Sequence, residues 1–105
     1  MRMELSVKGM NGEEALKEYV ERRMHFVLSR FGSELRRVVI RLSKTEGPQQ
    51  PEQKRCQLAI KLLSAGSVSV VATHADLFVA IDRAAERASR SVERRLLGKR
   101  CLARL

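Results

Sequence analysis

One segment constrains this chain more than any other. From near Asp76 to about Leu97, the apolar residues Leu77, Ile81, Ala84, Ala85, Ala88, Val92 and Leu96 recur at three- and four-residue spacing. On a helical wheel counted from Arg83 they fall between about 100° and 220°. Arg83, Arg87, Arg90 and Arg94 lie opposite, within roughly 60° of one another. Such a helix must lay its apolar side on a partner surface while four guanidinium groups point outward. Gly98 is placed to end it.

The partner surface is written in four alternating segments. Residues 3–8 set Met3, Leu5 and Val7 against Glu4, Ser6 and Lys8, the period-2 signature of a half-buried strand. Residues 36–43 set Val38, Ile40 and Leu42 against Arg37, Val39 and Arg41. Residues 54–63 turn Cys56, Leu58, Ile60 and Leu62 inward and Arg55, Gln57, Ala59 and Lys61 outward, and Ser64-Ala65-Gly66 is a short hairpin turn. Residues 67–73 form a fourth strand with Val68, Val70 and Ala72 facing in.

A further helix follows the first strand. Asn11 with Glu14 three residues on is a capping-box-like start, and Glu13 and Glu14 suit the positive end of a helix dipole. The helix is expected to run to about Arg30 with Ala15, Leu16, Tyr19, Val20, Met24, Val27 and Leu28 on one side, and Gly32 to stop it. Residues 44–52 contain Gly47, Pro48 and Pro51 and read as a mobile loop.

The order is β-α-β-β-β-α. A helical crossover makes the first two strands parallel, and tight hairpins make the rest antiparallel. The fold class is therefore an α/β two-layer sandwich, a four-stranded mixed sheet with two helices packed on one face. A length of 105 residues fits one such unit.

Charge bears on partners. The chain carries net +9, of which +6 lies in residues 83–105. That balance points to polyanions. An unbroken row of arginines favours bidentate phosphate contact over a merely solvated face, which usually mixes both signs. The outward sheet positions Lys8, Arg37, Arg41, Arg55 and Lys61 make a second basic surface, for which ordinary solvation is an equal reading. No strand carries an aromatic residue, so a base-stacking sheet is not expected. The alanine-rich apolar side of the second helix offers little to insert into a membrane.

Other classes find no support in the sequence. No apolar run approaches the roughly 18–20 residues of a membrane span, and the N-terminus has no apolar stretch of a signal peptide. Two cysteines, Cys56 and Cys101, make no disulfide framework. A reducing, cytoplasmic location is the expectation. His25 and His74 stand apart from any triad partner, with His74 beside Asp76 assigned to a strand–helix junction. No zinc spacing and no phosphate-cradling glycine loop occurs. No enzyme, catalytic residue, metal, cofactor or small-molecule substrate is expected.

These residues resemble a known family. Residues 3–10, followed by a helix containing Glu18-Tyr19-Val20-Glu21-Arg22-Arg23-Met24, look like the start of bacterial ribosome hibernation-promoting factors, also called ribosome-associated inhibitor or sigma-54 modulation proteins. Asp76-Leu77-Phe78-Val79-Ala80-Ile81-Asp82 is similar to that family's Asp-Met-Tyr-x-Ala-Ile-Asp segment, and Glu86-Arg87, Arg90 and Arg94 follow its basic second helix. Phe78, Ala88 and Ser91 depart from the usual Tyr, Leu and Gln. The resemblance implies a factor that binds the rRNA of the small ribosomal subunit (16S rRNA) where mRNA and tRNA meet, and inhibits translation by occupancy under stress.

Carried over by position, Lys8, Arg23, Arg30, Arg87, Arg90 and Arg94 would contact RNA, and Arg83 joins them from the stripe. Pairing with nearby glutamates is the competing role for Arg22 and Arg23. Residues 1–97 would form one ribosome-binding domain and 98–105 a short basic tail. At this length the chain resembles the short form, without the C-terminal domain that pairs ribosomes, and a monomer is expected, with a dimer the alternative. Nothing in these residues bears on sigma-54. The alternative from another class is a non-catalytic interaction module that dimerises through its sheet.

Overall fold

The computed structural model describes residues 2–9, 14–47 and 50–103. The core dictates the arrangement. Leu16, Val20, Met24 and Leu28 repeat every fourth residue on one helix, and Ala80, Ile81, Ala84, Ala85, Ala88 and Val92 line the other. Both close on Val38, Ile40, Leu42, Cys56, Leu58, Ile60, Leu62, Val68 and Ala72 of the sheet in a single buried cluster. The element order is β1 (Arg2–Lys8), α1 (Glu14–Leu28), a 3₁₀ segment (Ser29–Glu34), β2 (Leu35–Gly47), β3 (Gln50–Leu62), β4 (Ser67–His74) and α2 (Leu77–Ala103). The sheet runs β1-β2-β3-β4, with β1 parallel to β2 and the other pairs antiparallel. This is the expected α/β sandwich.

Register fixes which side chains share a face. Leu5, Ile40, Leu58 and Val70 form one core-facing row. Lys8, Ser43, Arg55 and Thr73 form an outward row, as do Ser6, Arg41, Gln57 and Val71, so the outward basic set lies on the face away from the helices. Leu62 N–H donates to Gly66 O (2.8 Å) in the β3–β4 turn, where Gly66 takes a positive φ of 76°.

Three boundaries differ from the sequence reading. The expected loop at 44–52 is largely a two-stranded ribbon: Lys44 pairs with Lys54, Thr45 with Gln53 and Gly47 with Gln50. Pro51 is tolerated because it falls where the register shifts and no ladder bond is forfeited. Glu52 adds ion pairs to Lys44 (3.4 Å) and Lys54, and the Lys54 hydrogen bond holds its carboxyl below the usual range.

Helix α1 ends at Leu28 rather than Arg30, and the chain tightens into the 3₁₀ turn in which Gly32 adopts φ 53°. Gly98 does not stop α2, which continues to Ala103. Its φ is not positive, and Lys99, Arg100, Leu102 and Ala103 are good helix formers that outweigh the roughly 1 kcal/mol a helical glycine costs. The capping start at Asn11 and the side chain of Cys101 lie outside the described residues.

Candidate nucleic-acid interface

Helix α2 is aimed by its first turn. Asp76 Oδ1 accepts from Phe78 N–H (2.9 Å), an N-cap, and Asp76 N–H donates to His74 Nδ1 (2.9 Å). His74 thus belongs to the strand–helix junction, as its position suggested. With the alanine side buried, Arg83, Arg87, Arg90 and Arg94 are all exposed. Their 11-residue span stretches over about 16 Å of helix.

The four arginines are not equivalent. Arg87 Nη1 donates to the carbonyl oxygen of Val71 (2.7 Å), a neutral acceptor that fixes the side chain while leaving its charge uncompensated. Arg90 Nη2 lies 2.6 Å from Glu86 Oε1, an i,i+4 ion pair. Arg83 and Arg94 make no hydrogen bond or ion pair among the described residues. Arg95, which the wheel left out of the stripe, donates from Nε to Ala65 O (2.8 Å) and lies so close over Gly66 that a Cβ there would meet its Nη2 at 2.9 Å. Arg94 and Arg95 border a groove with Ser67, Ser69 and Ser91.

The other proposed contacts fall elsewhere. Arg23 and Arg30 bridge the helices: Arg23 Nε is 3.2 Å from Asp82 Oδ1, while Arg30 Nη2 donates to Ser89 Oγ (2.8 Å) and lies 3.5 Å from Glu93. The pairing of Arg23 is therefore with α2 and not with glutamates of its own helix. Tyr19 joins the same seam through its hydroxyl to Asp82 and packs edge-on against Phe78, centroids 4.8 Å apart. Lys8 is exposed on the opposite layer, in the outward row with Arg55, whose buried Nε has no hydrogen-bond partner among the described residues.

On that sheet face Arg37 lies 2.6 Å from Glu4 and Arg2 lies 3.7 Å from it. The Arg37 hydrogen bond holds the Glu4 carboxyl below its ordinary range. The structure therefore brings together the α2 stripe but places Lys8, and the pair Arg23 and Arg30, at two other sites.

Reactive chemistry is muted. Burial pushes the Cys56 thiol up to about 12, which leaves it un-ionised and inert at neutral pH. Among the described residues no cluster of His, Cys, Asp and Glu could hold a metal ion, and no helix is long and apolar enough to cross a membrane.

With the stripe and fold in view, comparison with known proteins decides the lineage. The family model for "Sigma 54 modulation protein / S30EA ribosomal protein" matches residues 3–97. The chain belongs to this family. S30EA proteins are ribosome-associated and non-catalytic, in agreement with the expectation that no enzyme is present. The crystal structure of the Thermus thermophilus Protein Y N-terminal domain is similar, at 29% identity and a TM-score of 0.74 over 90% of this chain and 98% of that one. A ribosomal subunit interface protein from Coxiella burnetii shares the fold, with 17% identity, TM-score 0.74, and coverage of 90% and 96%. No curated protein sequence matches.

Two surface side chains of this S30EA protein, Arg95 and Phe26, escaped the sequence reading. Arg95 sits at about 120° on the wheel, next to the apolar arc, and only the bend of the β3–β4 turn brings Ala65 beneath it. Phe26 is 78% exposed, at a helix position off the core face, a signal the periodicity contained.

Proposed function

We propose that this S30EA protein binds the rRNA of the small ribosomal subunit in the channel where mRNA and tRNA meet, and inhibits translation by occupying it. The observation that carries the reading is the α2 face itself. Arg83 and Arg94 project without partners among the described residues, at either end of a row in which Arg87 is already held in place by a neutral carbonyl. Charges so arranged gain more from phosphate than from anything on their own surface, and a fixed side chain loses less freedom on binding.

Residues 1–97 constitute the binding domain in this reading, acting as a monomer in the cytoplasm. Arg23 and Arg30 contribute their remaining donors from the helix seam, and Lys8 a contact from the far layer. Because an Arg presents five donors, the bond of Arg30 to Ser89 and the ion pair of Arg23 with Asp82 leave donors for phosphate.

Sedimentation with purified small subunits tests the reading. Binding should be strong at low salt and fall steeply as salt rises, since each phosphate contact releases counterions. Failure to co-sediment at low salt would reject it.

A further inference from the structure

We propose that Phe26 is a stacking platform for an unpaired nucleobase, with Arg22 and Arg23 beside that nucleotide's phosphates. The proposal rests on the ribosomal-RNA reading and names a contact that reading lacks. Phe26 is 78% exposed, against 54% for Leu63, 52% for Leu97 and 47% for Phe78, so it is the barest large apolar side chain of the described residues. The fold does not need it, because Leu16, Val20, Met24 and Leu28 supply the buried side of α1.

Its nearest neighbours along the chain are basic, while Asp82 and Glu93 of α2 pair with two of them. The residues three and four positions away on either side are Arg22, Arg23, Ser29 and Arg30, with no acid among them. The Arg23 guanidinium carbon lies 5.9 Å from the ring centroid, and Tyr19, Arg22, Arg23 and Phe26 line a hollow of about 300 Å³. An aromatic face beside two arginines fits a base attached to a phosphate chain. Stacking accepts any base, since every base offers a π-face, and guanidinium planes stack as well.

Position ties this platform to the stripe. Tyr19, Arg23 and Phe26 of α1 and Arg30 of the following 3₁₀ segment keep 4-3-4 spacing, and the other three all reach α2, at Asp82, Ser89 and Glu93. Phe26 therefore lies on the side of α1 that borders the seam. The arginines of α2 begin roughly 60–100° round that helix from the seam. One RNA strand lying across the helical layer meets both.

The test uses the full chain with Phe26→Ala, Phe26→Leu and Phe26→Trp, probed with a short single-stranded RNA oligonucleotide and with the same sequence as a blunt duplex. Phe26→Ala and Phe26→Leu should each weaken single-strand binding about tenfold without changing the salt slope, because no charge is removed. Duplex binding should not move. Phe26→Trp should keep its affinity and, in a chain with no other Trp, report stacking as fluorescence quenched on adding single strand.

Unchanged single-strand binding by a folded Phe26→Ala overturns the proposal. So does full affinity in Phe26→Leu, which would mark a site reading apolar bulk alone, or an equal loss on duplex. Arg83→Gln/Arg94→Gln, run on small subunits in parallel, separates the failures. If it weakens binding while Phe26→Ala does not, only the platform falls; if neither matters, the RNA reading itself falls.

Discussion

The hydroxyl of Tyr19 donates a 2.7 Å hydrogen bond to Asp82 Oδ1 across 63 residues of sequence, and the same carboxylate oxygen lies 3.2 Å from Arg23 Nε. One acid thus accepts a hydrogen bond and pairs with a guanidinium from α1, tying the two helices together. This polar tie adds to the apolar cluster that both helices already share with the sheet.

Removing it should register as stability. Tyr19→Phe keeps the ring contact with Phe78 and loses the hydrogen bond, for a cost of about 1 kcal/mol. Asp82→Ala, which also strips Arg23 of its partner, should cost more. Urea midpoints with an unchanged slope would measure both. The hydrogen bond to Asp82 raises the Tyr19 pKa above its ordinary 10.0. A raised folded-state value stabilises fully below the unfolded value and is lost as pH climbs through the folded one. The advantage of the native chain over Tyr19→Phe should therefore be level up to about pH 10 and shrink above it.

The stripe should divide by partner. Changing Arg87, Arg90 and Arg94 together to Gln should weaken small-subunit binding and flatten its log–log salt slope by about one unit for each phosphate no longer neutralised. Among single changes, Arg83→Gln and Arg94→Gln should outweigh Arg90→Gln, whose charge Glu86 already offsets. Equal effects at all three positions, with circular dichroism unaltered, would mean that the ion pair has no bearing on RNA binding.

Strand parity has its own check. Ile60 is 1% exposed among core side chains, and Ile60→Ala should cost about 2–5 kcal/mol by thermal or urea denaturation. Ala59→Ser, one residue away on the open face, should stay within about 0.5 kcal/mol.

Inhibition by occupancy should obey mass action. In a purified translation system it should saturate near one protein per ribosome, and excess mRNA with initiator tRNA should relieve it. Full inhibition at a small fraction of the ribosome concentration, persisting after a high-salt wash, would contradict occupancy.

Strand positions were legible in the sequence because burial there is binary: Val38, Ile40 and Leu42 alternate with outward neighbours, and a one-residue slip would have exposed all three. The arginine stripe was legible for the same reason at helical period. Helix and strand ends were not. Pro51 normally breaks a strand, and only the register shift opposite it shows that no hydrogen bond is forfeited. The division of the arginines into held and free ones depends on pairings such as Arg87 with Val71, 16 residues away, and Arg30 with Ser89, 59 away. Local pattern carries no trace of pairings that the packing of α2 creates.

The hold of Arg87 on Val71 and of Arg95 on Ala65 has a consequence for the protein's behaviour toward its own copies. β4 is a border strand of the sheet, and main-chain groups on its open side offer a template to any other extended chain. Two guanidinium groups lie across that template and take up carbonyls at Val71 and at the turn just before the strand. A shorter or acidic residue at position 87 would therefore do more than repel RNA. It would uncover a strand ready to be extended and so favour self-association.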